Sequence, residues 1–384
     1  MNRCEVAIVG AGVHGASAAY HLSSRGVKVA IFDQRGPAGG PTGRSSAICR
    51  AHYTNDFLAR MAQLSIEMFA NFEAVVGGPS GFRKTGFLWL HGPEDGPELE
   101  AAVPRLRRAG VEMERLNPDD VAREFPLVSV DGVGEALWEP GAGYADPVLT
   151  TGSLISRSIE LGAQTFLYST VAVERGRHDY IVKTESGDVL HAERLLLAAG
   201  PWTRLLALQL GVDLPLTVER HIVAVIRWMG ASRMRFGHAD LVAGQYYCKP
   251  EGPDLYCLGP LLAAEAADPD SFVESMSSDE GFALTRAAMT RVPSLSDAEL
   301  VSGWASLYDV SPDWQPVIGE VSDRLFVDAG TSGHGFKLAP ALGALVADLV
   351  MGQATDPELS QFHPRRFASG ELLRAGYGAA RILG

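Results

Sequence analysis

The chain has 384 residues, 46% of them hydrophobic and 21% charged, with a net charge of −13. That length exceeds what one hydrophobic core usually serves, so two domains are expected. The acidic balance argues against nucleic acid and anionic membrane surfaces as partners, while leaving room for a locally basic pocket around a small substrate.

The organising stretch comes first. Residues 5–9 (EVAIV) form a short apolar run of the buried-strand type. They end in the turn GAGVHG at 10–15, and residues 16–25 then read as a helix of small and apolar residues. A second strand, 27–32, stops at Asp33. Gly10 permits a tight turn, Gly12 lets the backbone approach a pyrophosphate, and Gly15 lets helix and strand pack closely. The helix start offers N–H groups to phosphate, and Asp33 can accept from a ribose hydroxyl. A dinucleotide containing ADP is therefore expected, with NAD and FAD both open at this point.

Residues 34–47 are rich in Gly, Pro, Ser and Thr and read as a loop. Residues 55–72 return to helical spacing, with Phe57, Met61, Leu64, Met68 and Phe72 on one face. Residues 82–90 alternate like strands, 97–109 form a charged helix, and Asn117 starts another short helix with an acidic first turn. Residues 136–144 read as strand and turn, 146–161 as a helix and 163–173 as one strand. Segments 180–184 and 189–192 look like a hairpin. Residues 194–199 form a further buried strand ending at Gly200. From 214 to 259 the chain reads as successive strands, and 268–291 as mainly helical. A last strand, 325–328, runs into the glycine turn 330–335 and a long apolar helix.

Three strand–glycine–helix units thus occur, near residues 10, 200 and 330, separated by antiparallel-looking segments. The fold class expected is α/β (α+β overall): a discontinuous Rossmann-like nucleotide domain interrupted twice by a domain built on a mainly antiparallel sheet. Cys4, Cys49, Cys248 and Cys257 contain no CxxC and no metal-ligand spacing, so they read as reduced thiols and no metal is expected. No secretory signal precedes the first strand, and the apolar segment 339–351 contains Asp348 and is too short to span a bilayer. A cytoplasmic protein without a membrane span is the expectation.

Several longer segments carry a resemblance: VAIVGAGVHGASAAYHL, FRKTGFLWL, EPGAGYADP, LLLAAGPW, WASLYDVSPDWQPVIG and, most specifically, AGTSGHGFKLAP at 329–340. On these the chain resembles the D-amino-acid oxidase superfamily of flavoproteins, and within it the sarcosine oxidase branch. The tail HPRRFASGELL is similar to the β subunits of heteromeric sarcosine oxidases and to dye-linked proline dehydrogenases. The resemblance implies FAD, a two-domain fold and oxidation of an amino acid at a C–N bond. It places the FAD-binding domain at 1–80, 145–215 and 301–384, and the substrate-binding domain at 81–144 and 216–300. The second glycine turn fits the same choice: N–H groups at Gly333, His334, Gly335 and Phe336, at the positive end of the next helix, can stabilise charge on a reduced flavin ring.

The cofactor residues implied are Gly10, Gly12, Val13, His14, Gly15, Asp33 and Gln34, then Arg44, Ser45 and Ser46 of the loop. Val171, Ala199, Gly200, Trp202 and Lys337 complete the set with the 333–336 turn. Arg50 and Lys337 match the carboxylate-binding pair of monomeric sarcosine oxidase, and a planar guanidinium suits a carboxylate. Tyr247 matches a substrate-contacting tyrosine, and Tyr53 and Tyr308 are candidates for pocket walls.

Departures from the family are informative. Members with covalently linked flavin carry cysteine where this chain has Ser306, or histidine where it has Arg44, so the FAD is expected to be non-covalent. An oxygen-activating lysine of the family matches Cys257, with Lys249 nearby, which leaves O2 and another electron-accepting partner both open. The function expected is oxidation of an N-methyl or cyclic secondary amino acid to an imine by hydride transfer to flavin N5. Alternatives are oxidation of a D-amino acid, glycine or a 2-hydroxy acid (with His52 or His334 as base), or a FAD-binding subunit of a heteromeric dehydrogenase. The likeness to β subunits leaves homo- and hetero-oligomers open.

Overall fold

The computed structural model describes residues 3–230 and 233–373. The three glycine turns converge because their strands are neighbours. Arg3–Val9 lies parallel to Val29–Asp33 on one side and to Val189–Leu197 on the other, with Val6 beside both Val29 and Arg194. Leu325–Ala329 pairs in parallel with the far half of Val189–Leu197. Parallel strands carry all their carboxyl ends to one edge, so every turn opens on the same side of this eight-stranded sheet. The helices Val13–Ser24 and Gly335–Val350 pack against each other so tightly that a Cβ on Gly343 would lie 2.1 Å from Ser17 Oγ.

A second eight-stranded sheet is mostly antiparallel. In spatial order it runs Glu299–Val310, Thr217–Arg227, Leu255–Pro260, Tyr246–Glu251, Gly237–Asp240, Phe87–His91, Glu135–Glu139 and Glu114–Leu116. A small three-stranded sheet of Ile48–Cys49, Gly143–Tyr144 and Arg83–Lys84 holds the start of the segment that carries Arg50. Among the described residues, no helix is long and apolar enough to cross a membrane.

Several elements differ from the sequence expectation. The segment 163–173 is two strands, Gln164–Leu167 and Val171–Arg175, because Tyr168 adopts φ +58° and turns the chain. Conversely, 189–192 and 194–199 are one strand, Val189–Leu197. Its first half pairs antiparallel with Tyr180–Thr184 and its second half parallel with the nucleotide strands. The helix expected over 55–72 ends at Ala70, and Phe72–Val76 follows as a separate short helix. Its buried face is Phe57, Leu58, Met61, Ala62, Ile66 and Phe69, while Leu64 is 45% exposed.

In 268–291 only Ser278–Arg291 is helical, started by a Ser277–Glu280 capping box. The preceding residues are held instead by Arg220, which donates to the carbonyls of Val273 and Ser275. The strand Glu299–Val310 crosses the boundary expected at residue 301 and pairs within the second sheet. Of the segment assigned to 301–384, residues 374–384 lie outside the described residues.

Candidate active site

A cavity of about 370 Å³ runs along the carboxyl edge of the first sheet. Gly10 stands at φ +115°, and a Cβ there would meet Ala198 O at 2.2 Å; one on Gly15 would meet Gly10 O at 1.9 Å. The turn therefore stays thin enough for a ligand backbone to approach. The helix Val13–Ser24 has no side-chain cap and no acid in its first turn, and the same holds for Gly335–Val350. Two helix N-termini are thus left for anionic or electron-rich groups. Asp33 Oδ2 accepts from Ala11 N–H at 2.7 Å, and Oδ1 accepts from Arg35 and Gly36 N–H at 2.7 and 2.8 Å. A carboxylate offers roughly four acceptor sites, so about one remains for a ribose hydroxyl. The cradle fits a dinucleotide.

Of the residues expected to hold the cofactor, Gly10, Gly12, Val13, His14, Asp33 and Gln34 line this cavity. So do Arg44, Ser45 and Ser46, then Val171, Ala199, Gly200 and Trp202, and finally Gly333, Gly335 and Phe336. Gly15 and His334 line neither this cavity nor the adjoining smaller one; Gly15 acts through packing, and the His334 ring lies against Tyr53. Arg44 has a further partner, Glu274, at 2.5 Å. His14 joins the two glycine turns: Nδ1 pairs with Asp328 at 2.9 Å and Nε2 lies 3.0 Å from Gly335 O. Burial alone lowers its pKa, but the charge and hydrogen bond of Asp328 outweigh it and hold the imidazole above its ordinary value.

A smaller cavity of about 60 Å³ adjoins the large one, sharing Ser45, Ser46, Tyr247, Tyr308, Gly333 and Phe336 with it. Arg50 and Lys337 both line it, with Phe87 and Trp89 as further walls. Tyr53 does not line it and lies behind the cations, with Arg50 Cζ at 4.6 Å and Lys337 Nζ at 5.9 Å from its ring centroid. Arg50 is also 5.0 Å from the Trp89 centroid and donates to His52 O at 2.5 Å. Burial, then the nearby Arg50 charge, holds Lys337 well below the usual ammonium range. The Tyr247 hydroxyl lies 2.6 Å from Ser46 Oγ. The arrangement offers an anionic group the Arg50 guanidinium and a lysine amine that the anion itself would help to charge, between aromatic walls and beside the nucleotide cavity.

Several residues escaped the sequence reading. Phe87 and Trp89 lay in a quoted segment, but their role depended on strand register. His221 lines the large cavity, stacked on Tyr308 at 3.9 Å, with Nε2 donating to Glu219 at 3.1 Å. Glu139 lies buried near Arg50. Lys249 and Cys257 stand directly opposite in an antiparallel ladder, so they share a face, and Tyr247 shares it too. Neither Lys249 nor Cys257 lines either cavity; the Lys249 ammonium pairs with Glu251 and lies 4.2 Å over the Tyr144 ring.

The comparisons with known proteins point to one family. The chain is 30% identical to 4-methylaminobutanoate oxidase (formaldehyde-forming) of Paenarthrobacter nicotinovorans, over 97% of this chain and 47% of that protein. It is 27% identical to peroxisomal sarcosine oxidase of Homo sapiens, over 94% of this chain and 96% of the relative. The chain spans about half the length of the first curated relatives it matches. The fold is that of L-proline dehydrogenase from P. horikoshii, with TM-score 0.88, 23% identity, and 97% and 100% of the two chains covered. Residues 5–349 match the family described as FAD dependent oxidoreductase, DAO. A thin glycine turn, two open helix starts and a match of that extent have one explanation: the chain belongs to the FAD dependent oxidoreductase (DAO) family, and FAD is the dinucleotide of its larger cavity.

Proposed function

We propose that this chain oxidises the C–N bond of a small amino acid, an N-methyl or cyclic secondary one, to an imine. The observation that carries the reading is the shared cavity of Arg50 and Lys337, opening against the nucleotide site. FAD, when bound, supplies the acceptor for the hydride equivalent that leaves the substrate, whose electrons then pass to O2 or another acceptor. The protein positions: Arg50 presents a planar fork to the substrate carboxylate, and Lys337 gains its charge partner from the same group. Phe87, Trp89 and Tyr308 exclude water, and Tyr247 with Ser46 offers hydroxyls to the amine or carboxylate. The amine must lose its proton to solvent before oxidation, and a cationic pocket favours that loss.

A 2-hydroxy acid would need a base at its hydroxyl. His52 and His334 line neither cavity, and burial holds both below the ordinary histidine range, so the amine reading is preferred. The four free, buried cysteines support the expected cytoplasmic setting. The test is anaerobic mixing of the FAD-loaded protein with N-methyl, cyclic, D- and L-amino acids. Bleaching of the flavin by sarcosine-like or proline-like acids is the expected result. A flavin that stays oxidised with all of them, in a protein that co-purifies with another, would favour the subunit reading.

We infer that the FAD is held without a covalent bond. Ser306 lines the cavity where linked relatives carry cysteine, and its hydroxyl is no match for a thiolate as a nucleophile. Acid precipitation should leave the yellow chromophore in the supernatant; colour retained in the pellet would refute a dissociable cofactor.

A further inference from the structure

Glu139 is the last residue of the strand Glu135–Glu139 and lies opposite Phe87 in the ladder, so it shares a face with the cavity walls Phe87 and Trp89. It does not line the cavity and is 1% exposed. Oε1 accepts from Ala51 N–H, the residue after Arg50, at 2.5 Å. Oε2 has no hydrogen bond of good geometry, although the Trp89 indole and His52 N–H lie near enough to favour the carboxylate. A buried carboxylate with an oxygen so poorly satisfied is costly as a purely structural group.

We propose that Glu139 is a positioning residue that tunes the carboxylate clamp: it draws on the charge of Arg50 while the site is empty and takes up a proton from solvent as an anionic acid binds. The inference rests on the reading of Arg50 and Lys337 as the clamp.

The surroundings decide which group responds. From the segment of Arg50, Cys49 and Tyr53 are pushed up by burial and His52 is pushed down, so all three stay neutral. His334, beside Lys337, is also pushed down by burial, and Arg105 bears on His52. His91 on the neighbouring strand pairs with Asp95 at 3.1 Å. Burial pushes Glu139 up to about 7, with Ala51 N–H and Arg50 pulling it back. An anion on Arg50 withdraws that pull, and Glu139 protonates. Below that pH Glu139 is neutral and anions bind best; above it Glu139 competes for the charge of Arg50, while Lys337, held well below the ammonium range, is a second group that an incoming anion can protonate.

The test is titration of the FAD-loaded protein with propionate, read from the flavin absorbance. The wild-type Kd should rise about tenfold between about pH 6 and about pH 8.5. Glu139→Gln should hold the tight low-pH Kd across that range, while Glu139→Asp restores the slope. A pH dependence retained in Glu139→Gln assigns the titration to Lys337 and overturns the proposal while leaving the clamp intact. No propionate response in wild type at any pH overturns the clamp itself. Calorimetry near pH 7, in buffers of different ionisation enthalpy, should show uptake of about half a proton per propionate in wild type that Glu139→Gln lacks; no uptake in wild type, or equal uptake in both, overturns the proposal.

Discussion

Arg50→Met should lower kcat/KM for the best amino-acid substrate by about 10²–10³-fold, most of it in KM. Arg50 is 4% exposed and stacked between Tyr53 and Trp89, so its geometry is set before substrate arrives. Methionine keeps much of the volume and the packing against both rings. What it removes is the charged fork. A charge-assisted, bidentate contact to a carboxylate in a low-dielectric site is worth roughly 3–4 kcal/mol, which sets the expected loss. Because the carboxylate is held in ground state and transition state alike, KM carries the change. Flavin content and absorbance should match wild type. Steady-state kinetics showing an unchanged KM would remove Arg50 from the clamp.

Gly10→Ala should give a protein without flavin colour. Alanine at φ +115° is strained, and its Cβ would sit 2.2 Å from Ala198 O and 2.9 Å from Ala199 Cα, backbone atoms just past the end of the adjacent parallel strand Val189–Leu197. Relief requires the turn to move away from that strand, which spoils the cradle under the pyrophosphate. A strained residue costs on the order of 1–3 kcal/mol before the clash is counted. Gly26→Ala is the control: it also has positive φ, but nothing lies within 4 Å of its Cβ. It should lose only about 1 kcal/mol and stay yellow. The ratio of flavin to protein absorbance after purification checks both variants; a fully loaded Gly10→Ala protein would contradict the account of the turn.

The nucleotide half was legible because local signals and tertiary structure agree there. The apolar run, the glycine turn and Asp33 lie within one unit of chain, and backbone geometry does the work. Legibility failed where one strand serves two partners. Val189–Leu197 looked like a hairpin arm followed by a separate buried strand because its burial changes from alternating to continuous midway, as its pairing changes. The 268–277 segment read as helix because nothing in its composition forbids it; Arg220 holds it irregular from another strand.

The candidate site divides the same way. Arg50 and Lys337 could be picked from motif context, and the structure brings them to one cavity. Tyr53 is a candidate wall by sequence and lies behind the cations instead, a difference set by where one turn of chain points its ring. Glu139 stood in plain view in EPGAGYADP, yet its importance depends on a ladder that pairs it with Phe87 across a long stretch of sequence. Lys249 and Cys257 face each other only through the register of their hairpin, which no spacing rule reveals.

The central claim is that Arg50 and Lys337 hold the substrate's carboxylate beside the flavin. A crystal structure of the FAD-loaded protein grown with propionate tests it most directly. The account predicts the flavin ring against the turn carrying Lys337, with the propionate carboxylate within hydrogen-bonding reach of both Arg50 and Lys337. A flavin lying away from that turn, or a carboxylate bound without either cation, would contradict it.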